Sequence, residues 1–271
     1  MRFHPQHKNL LQFKIFDRFP EIDHFSTTRS GGVSSGEFRS LNLGNFSDDS
    51  PVNIFENRSL LAQKFFLTPE DLITPHQTHG SEVLLIDQQF LNLSKSEIIE
   101  KLYGIDATIT QETDIFLCVA TADCVPILLY DPQTQAMAAI HAGWRGTVGR
   151  IVEKTIDKMN QHFGTKPADI IAAIGPAIGI DNYEVGKEVE EMFKENGFKL
   201  TKPFALRNRK TKKIHLDVKE INRQELLRLG VPKQQIEKTK YDTYKNKQLF
   251  FSARRQTVHS GRMLSGIMLK K

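Results

Sequence analysis

Cysteine is scarce: Cys118 and Cys124 are the only two in 271 residues. A disulfide framework therefore does not hold this fold together, and both thiols are expected to stay reduced. Long apolar runs are missing too. None approaches the roughly 20 residues needed to cross a bilayer, and the opening Met-Arg-Phe-His-Pro-Gln-His-Lys has no apolar signal-peptide core. A cytoplasmic protein without membrane association is the expectation. There is no internal repeat, low-complexity tract or linker, so the length allows one large domain or two small ones. The nine histidines contain no His-X-His pair, which speaks against the several copper centres of a multicopper oxidase.

What is present describes a folded chain, with 39% hydrophobic and 25% charged residues. The net charge of +5 and a pI near 9.1 are compatible with nucleic acid, a phosphate-bearing substrate or a Lys-rich surface. The densest basic stretch is Arg207, Arg209, Lys210, Lys212 and Lys213. No aromatic platform accompanies it, so it reads as a solvated loop, and nucleic acid is not an expected partner.

Ser50-Pro51 opens a helix through Val52, Phe55, Ala62 and Phe65, and Thr68-Pro69-Glu70-Asp71 opens a second, short one. Val83–Ile86 and Ala107–Ile109 read as strands. The apolar span 115–130 reads as two buried strands joined near Asp123, followed by another at 136–140. Val148, Ile151, Val152, Thr155, Ile156 and Met159 recur at helical spacing up to Gly164. After a strand at 170–174, a helix carries Val185, Val189, Met192 and Phe193 to Gly197, and another opens at Asp217 and stops at Gly230. Leu249–Ser252 and Ile267–Leu269 read as short terminal strands. Clustered strands with intervening helices indicate an α+β fold with mixed sheets.

Three dispersed residues carry the chemistry. His79 lies in His-Gln-Thr-His-Gly, Cys124 in Thr-Ala-Asp-Cys-Val-Pro and His141 in Ile-His-Ala-Gly-Trp-Arg-Gly. Each sits beside a strand-like run and next to small or turn-forming residues, so each can project from a rigid element into a shared pocket. Imidazole and thiolate suit zinc, and three protein ligands leave the fourth position open for catalysis. The separations of 45 and 17 positions (79 to 124, 124 to 141) match no zinc-finger spacing. Taken singly, a cysteine in an apolar run is a small core residue, as Cys118 is; Cys124, flanked by Asp123 and Pro126, belongs to a strand start. His76 competes with His79 for the ligand role, but in an extended segment residues three apart face opposite sides. Gly80 beside His79 favours the latter.

Taken in order, these motifs resemble the laccase-domain family. Ile-Gly-Pro-Ala-Ile-Gly with Tyr-Glu-Val-Gly, Phe-Phe-Ser-Ala-Arg-Arg, Thr28–Ser34 and Leu41-Asn42-Leu43-Gly44 extend the resemblance over nearly the whole sequence. Members long labelled polyphenol oxidases are now read as purine nucleoside phosphorylases of the YlmD type. The resemblance implies a single domain spanning 1–271, layered α/β/β/α with mixed sheets (YfiH-like), and Zn2+ on His79, Cys124 and His141. It implies phosphorolysis of adenosine, inosine, guanosine and methylthioadenosine, and deamination of adenosine to inosine, by a monomer or homodimer. Some relatives are linked instead to editing of peptidoglycan precursors. Ala177, Asn182 and Asp242 stand where relatives often carry cysteine, and Gln256-Thr257-Val258-His259 replaces an Asp-Gly-like turn.

Deamination needs a proton carrier, for which Asp123 is the nearest carboxylate in sequence; its structural alternative is an Asp that orients a loop. Phosphorolysis needs cationic donors for phosphate. Arg29 beside Gly31-Gly32 and Arg145 between Gly143 and Gly146 offer them, with Asn42 as a further substrate-binding candidate. Either arginine can equally be a structural pairing residue, and Trp144 can stack a base or pack a core. Three rivals stand beside the nucleoside enzyme. One is a copper-dependent oxidase, since Cu2+ outcompetes Zn2+ for such ligands. The others are a cysteine hydrolase with Cys124 as nucleophile and His141 as base, and a salt-sensitive nucleic-acid or regulatory binding module.

Overall fold

The computed structural model describes residues 1–208, 211–257 and 259–271. Two six-stranded sheets stack face to face between layers of helix. The first runs, in spatial order, Arg2–Phe3, Leu10–Gln12, Ile22–Thr27, Met263–Leu269, Phe116–Thr121 and Leu72–Ile73. The second runs Ile236–Lys238, Ile171–Ile174, Val125–Asp131, Ala136–Ala142, Ile105–Thr110 and Glu82–Leu85. Both are mixed: most neighbours are antiparallel, but Leu72–Ile73 lies parallel to Phe116–Thr121, and Glu82–Leu85 parallel to Ile105–Thr110. Glu184–Val185, Ile214–Leu216 and Ala205–Arg207 form a small third sheet.

Side-chain alternation explains why the central strands read as unbroken apolar runs. Leu117 and Val119 point between the sheets, where they meet Leu128, Tyr130, Met137 and Ala139. Phe116 and Cys118 point the other way, under Leu61 and Ala62 of the helix Pro51–Ala62. In the second sheet Val125, Ile127 and Leu129 face the helices Ile151–Phe163 and Val218–Arg228. A strand covered on both faces gains from apolar residues at every position, not every second one. The order helix, sheet, sheet, helix is the expected α/β/β/α layering.

The joint expected near Asp123 separates Phe116–Thr121 from Val125–Asp131. Three expectations need correction. Leu249–Ser252 is not a strand: Phe250 and Phe251 are buried in a small cluster with Leu11, Ala122 and Met263, and Ser252 caps the short helix Ala253–Gln256. Apolar burial there is met without ladder pairing. Val185 lies in a strand that precedes the helix Lys187–Glu195. Val148 closes a separate helix, Trp144–Val148, because Arg150 takes a left-handed backbone (φ 60°) that breaks the helical run. In the basic stretch, Arg209 and Lys210 lie outside the described residues. Exposed Arg207 pairs with the buried carboxylate of Glu190, and exposed Lys213 with Glu184.

One buried histidine ties the first sheet to its neighbouring loop. His24 Nε2 accepts the Phe13 amide at 2.8 Å, and the ring packs beside Phe13 and Phe16. Burial is the largest influence and holds its pKa down at about 3, against the ordinary 6.5. The unfolded chain therefore binds a proton that the folded chain refuses, so stability is full above pH 6.5 and falls as pH drops toward 3. Between pH 7 and 5 this amounts to about 2 kcal/mol at 1.36 kcal/mol per unit. Urea unfolding of wild type and His24→Gln at both pH values is expected to show the variant losing about 2 kcal/mol less; equal losses would refute the assignment.

Candidate metal centre

Strand register brings Cys124 and His141 together. Val125 pairs with Ala142 and Pro126 with His141, so Cys124, one residue before its strand, lies beside the end of the strand Ala136–Ala142. His79 arrives from the loop between Ile73 and Glu82. The ligand atoms of His79, Cys124 and His141 all lie within 4.8 Å of one another, the one such His/Cys/acid cluster among the described residues. The two imidazoles meet edge to face at 4.9 Å between centroids. Gly143 keeps the centre open: a Cβ there would sit 3.2 Å from both Cys124 Sγ and His79 Cδ2.

A carboxylate that sequence reasoning missed organises this set. Asp106, fully buried on the strand Ile105–Thr110, accepts the His141 Nδ1 hydrogen at 2.7 Å, leaving His141 Nε2 toward the cluster. It also accepts three backbone amides, Thr78 at 3.2 Å, His79 at 3.1 Å and Gly80 at 2.7 Å. Those bonds hold His79 in a left-handed conformation (φ 64°), which a non-glycine residue adopts only when its surroundings impose it. Asp106 reaches both because Ala107 pairs with Ile140, which makes Asp106 the cross-strand neighbour of His141. The signal was available: an Asp inside an apolar strand must have partners to be buried.

Burial opposes a thiolate at Cys124, but the charges and hydrogen bonds of His141 and His79 outweigh it and bring the thiol down to about 6. Burial likewise opposes a charged His141, and Cys124 and Asp106 raise its pKa in return. A thiolate, an imidazole fixed by a carboxylate and a second imidazole make a donor set that fits zinc.

The cluster opens into a cavity of about 480 Å³, a size suited to a small organic ligand. His76 lines it, stacked on Phe46 at 3.7 Å and 9° and edge-on to Tyr103. Tyr183, Arg254 and Arg262 line it as well. Asp123 is on the wall, with its carboxylate engaged by Thr243 Oγ1 (2.5 Å), Ser252 Oγ (2.9 Å) and the Arg254 amide (2.7 Å). These bonds tie the turn at Asp123 to the C-terminal part of the chain.

Asn42, Arg29 and Arg145, the expected substrate contacts, do not line this cavity themselves. Asn42 is fully buried and serves the loop: its Oδ1 accepts the amides of Gly44 and Arg262, both of which line the cavity. Arg29 borders a different cavity. Arg145 is exposed over the Trp144 ring at 4.3 Å, and its charge reaches Tyr183 at the cavity wall. Trp144 packs on the core. The positions where cysteine was noted as usual cluster together, for Ala177 bridges Asp242, and Asn182 donates to Asp242 at 2.8 Å. A polar tie occupies that corner.

The family model described as multi-copper polyphenol oxidoreductase laccase matches residues 23–270. The chain belongs to this family. Its relatives include a purine nucleoside phosphorylase of Bacteroides thetaiotaomicron, 44% identical over 97% of both chains. Adenosine deaminase RL5, from an unknown prokaryotic organism, is 39% identical over 92% of this chain and 94% of its own. The crystal structure of YlmD from Geobacillus stearothermophilus superposes with a TM-score of 0.90 at 31% identity, covering 99% of each chain. The YfiH-like fold expected from the motifs is therefore the fold observed.

Replacing Asp106 by Asn preserves shape but removes the charge and one acceptor oxygen. Zinc affinity, measured by competition with a chelating dye, is expected to fall roughly 10- to 100-fold. Unchanged affinity in a folded variant would show that Asp106 does not organise the ligands.

Proposed function

We propose that the protein is a cytoplasmic, zinc-dependent purine nucleoside enzyme. It would cleave adenosine, inosine, guanosine and methylthioadenosine with phosphate, and deaminate adenosine to inosine. The observation that carries this reading is the His79, Cys124 and His141 cluster at the wall of a nucleoside-sized cavity. Relatives named for both reactions support it. No helix among the described residues is long and apolar enough to cross a membrane. We take the working unit to be the domain 1–271, as a monomer or homodimer.

His79, Cys124 and His141 would hold zinc, which when bound supplies a Lewis acid and activates water near neutral pH. The rest falls to side chains. In phosphorolysis a phosphate oxygen bonds to ribose C1′ while the C1′–N9 bond breaks and its electron pair leaves with the purine. Arg254 and Arg262 line the cavity and can hold the phosphate through paired N–H donors. Phe46, 57% exposed and backed by His76, offers a face on which a purine can stack. In deamination water adds at C6 and ammonia leaves. Asp123, with both oxygens already accepting hydrogen bonds, is assigned to fixing Arg254 and the joint beside Cys124.

One observation keeps a second reading in view. Cys124, His141 and Asp106 also form the thiol, imidazole and carboxylate line of a metal-free cysteine hydrolase, which a peptidoglycan-editing role would use. Stoichiometric zinc that shields Cys124 from alkylation excludes it, and metal analysis after growth without added copper distinguishes a copper oxidase.

Zinc-loaded protein incubated with adenosine is expected to yield adenine when phosphate is present and inosine when it is not, separated chromatographically. His79→Ala, Cys124→Ala and His141→Ala are each expected to lose bound zinc and leave less than about one hundredth of the turnover. A folded triple variant that cleaves adenosine at the wild-type rate would overturn the reading.

A further inference from the structure

A second cavity, of about 530 Å³, shares no lining residue with the metal cavity. Its walls are Arg29, Ser30, Arg39, Ser40, Lys247 and Gln248: three cations and three neutral polar side chains. Arg29 is fixed in place. Its Nε donates to the Arg39 carbonyl at 2.9 Å and its Nη1 to the Lys247 carbonyl at 3.4 Å, while the guanidinium lies over the Phe251 ring at 4.6 Å. Its backbone is held by Leu249, Ser40 and Leu41.

Carbonyls satisfy hydrogen bonds but do not neutralise charge. Among the described residues Arg29, Arg39, Lys247 and the adjacent Arg255 form no salt bridge. Arg255 is likewise spent on the carbonyls of Thr243, Tyr244 and Phe250. The uncompensated charge is felt: burial first, and then Arg255, lower the Arg29 pKa, Arg39 adds to this, and Glu37 is the one acid that opposes it. Glu37 is exposed and accepts a hydrogen bond from Gln256 at 3.2 Å.

We propose that this cavity is a binding site for the dianionic phosphate of a small molecule, separate from the metal centre. A phosphate offers two negative charges and several acceptor oxygens to the Arg29 guanidinium, already held by backbone carbonyls, and to the Arg39 and Lys247 cations beside it. The cavity is larger than a bare phosphate needs, so a phosphate monoester fits the space as well. The phosphate-binding role expected of Arg29 is thereby moved from the substrate pocket to this site. The proposal does not depend on the nucleoside reading.

Calorimetric titration of zinc-loaded protein with inorganic phosphate, and separately with AMP, at fixed ionic strength tests it. Arg39→Gln with Lys247→Gln is expected to weaken one binding event at least about tenfold. Glu37→Gln, which removes the opposing charge, is expected to tighten the same event, a response that mere loss of structure would not give. An effect on both titrants identifies free phosphate as sufficient; an effect on AMP alone identifies a phosphate ester. Either outcome supports the site. Wild-type titrations in both variants with both titrants would overturn it. Absence of nucleoside turnover in the wild-type protein would sink the proposed function and leave these titrations unaffected.

Discussion

The Asp106 carboxylate holds two otherwise unrelated pieces of chain in one geometry. It is fully buried, and its four hydrogen bonds come from the His141 ring and from three consecutive amides at 78–80. A buried carboxylate is costly unless its oxygens are satisfied, so the loop and the ring are recruited to the same charge. The loop then carries His79 to the cluster, and the ring presents its remaining nitrogen to it. Without that charge, His79 would have no reason to keep a left-handed backbone.

The sheets supply what one carboxylate cannot. Asp106 and His141 sit on adjacent strands and Cys124 one residue before a third, the register of all three being fixed by burial on both faces, and a one-residue slip would reverse every core side chain. Asp123 makes a second tie of the same kind. Its positive φ of 90° turns the chain out of the strand Phe116–Thr121. Its carboxylate then gathers Thr243, Ser252 and Arg254 from the C-terminal part of the chain. Two buried aspartates thus flank the cluster, one holding its two histidines and the other the cavity wall.

Much of this was legible in the sequence because composition and position carried the same message. The apolar span around Asp123 could only be buried strand, and the three ligand candidates stood beside turn-forming residues at strand ends. The misreadings share a cause. Leu249–Ser252 looked like a strand because its apolar residues are buried, yet burial does not require a ladder partner. Arg29 and Asn42 looked like groups of the metal cavity because their neighbours are glycines or matched motifs. Direction in space is not written in those neighbours: Asn42 turns inward to support Gly44 and Arg262, and Arg29 turns to a separate cavity. Asp106 lies inside a strand rather than at its end, and three of its four partners are backbone amides, which carry no sequence signature.

The two cysteines show how far local direction decides chemistry. They are six residues apart, and in an uninterrupted strand an even separation would set both on the same face. Cys118 faces the helix layer beside Arg58, where burial drives its thiol up to about 12 and leaves it an inert packing group. Arg58 cannot reverse this, because its guanidinium is committed to the carbonyls of Pro69 and Leu72 and to Thr74. Between the two cysteines the backbone turns at Asp123, and Cys124 comes to lie against two imidazoles. The same side chain there becomes a thiolate at neutral pH. One left-handed residue, stabilised by the hydrogen bonds its carboxylate collects, separates a core thiol from one set against two imidazoles.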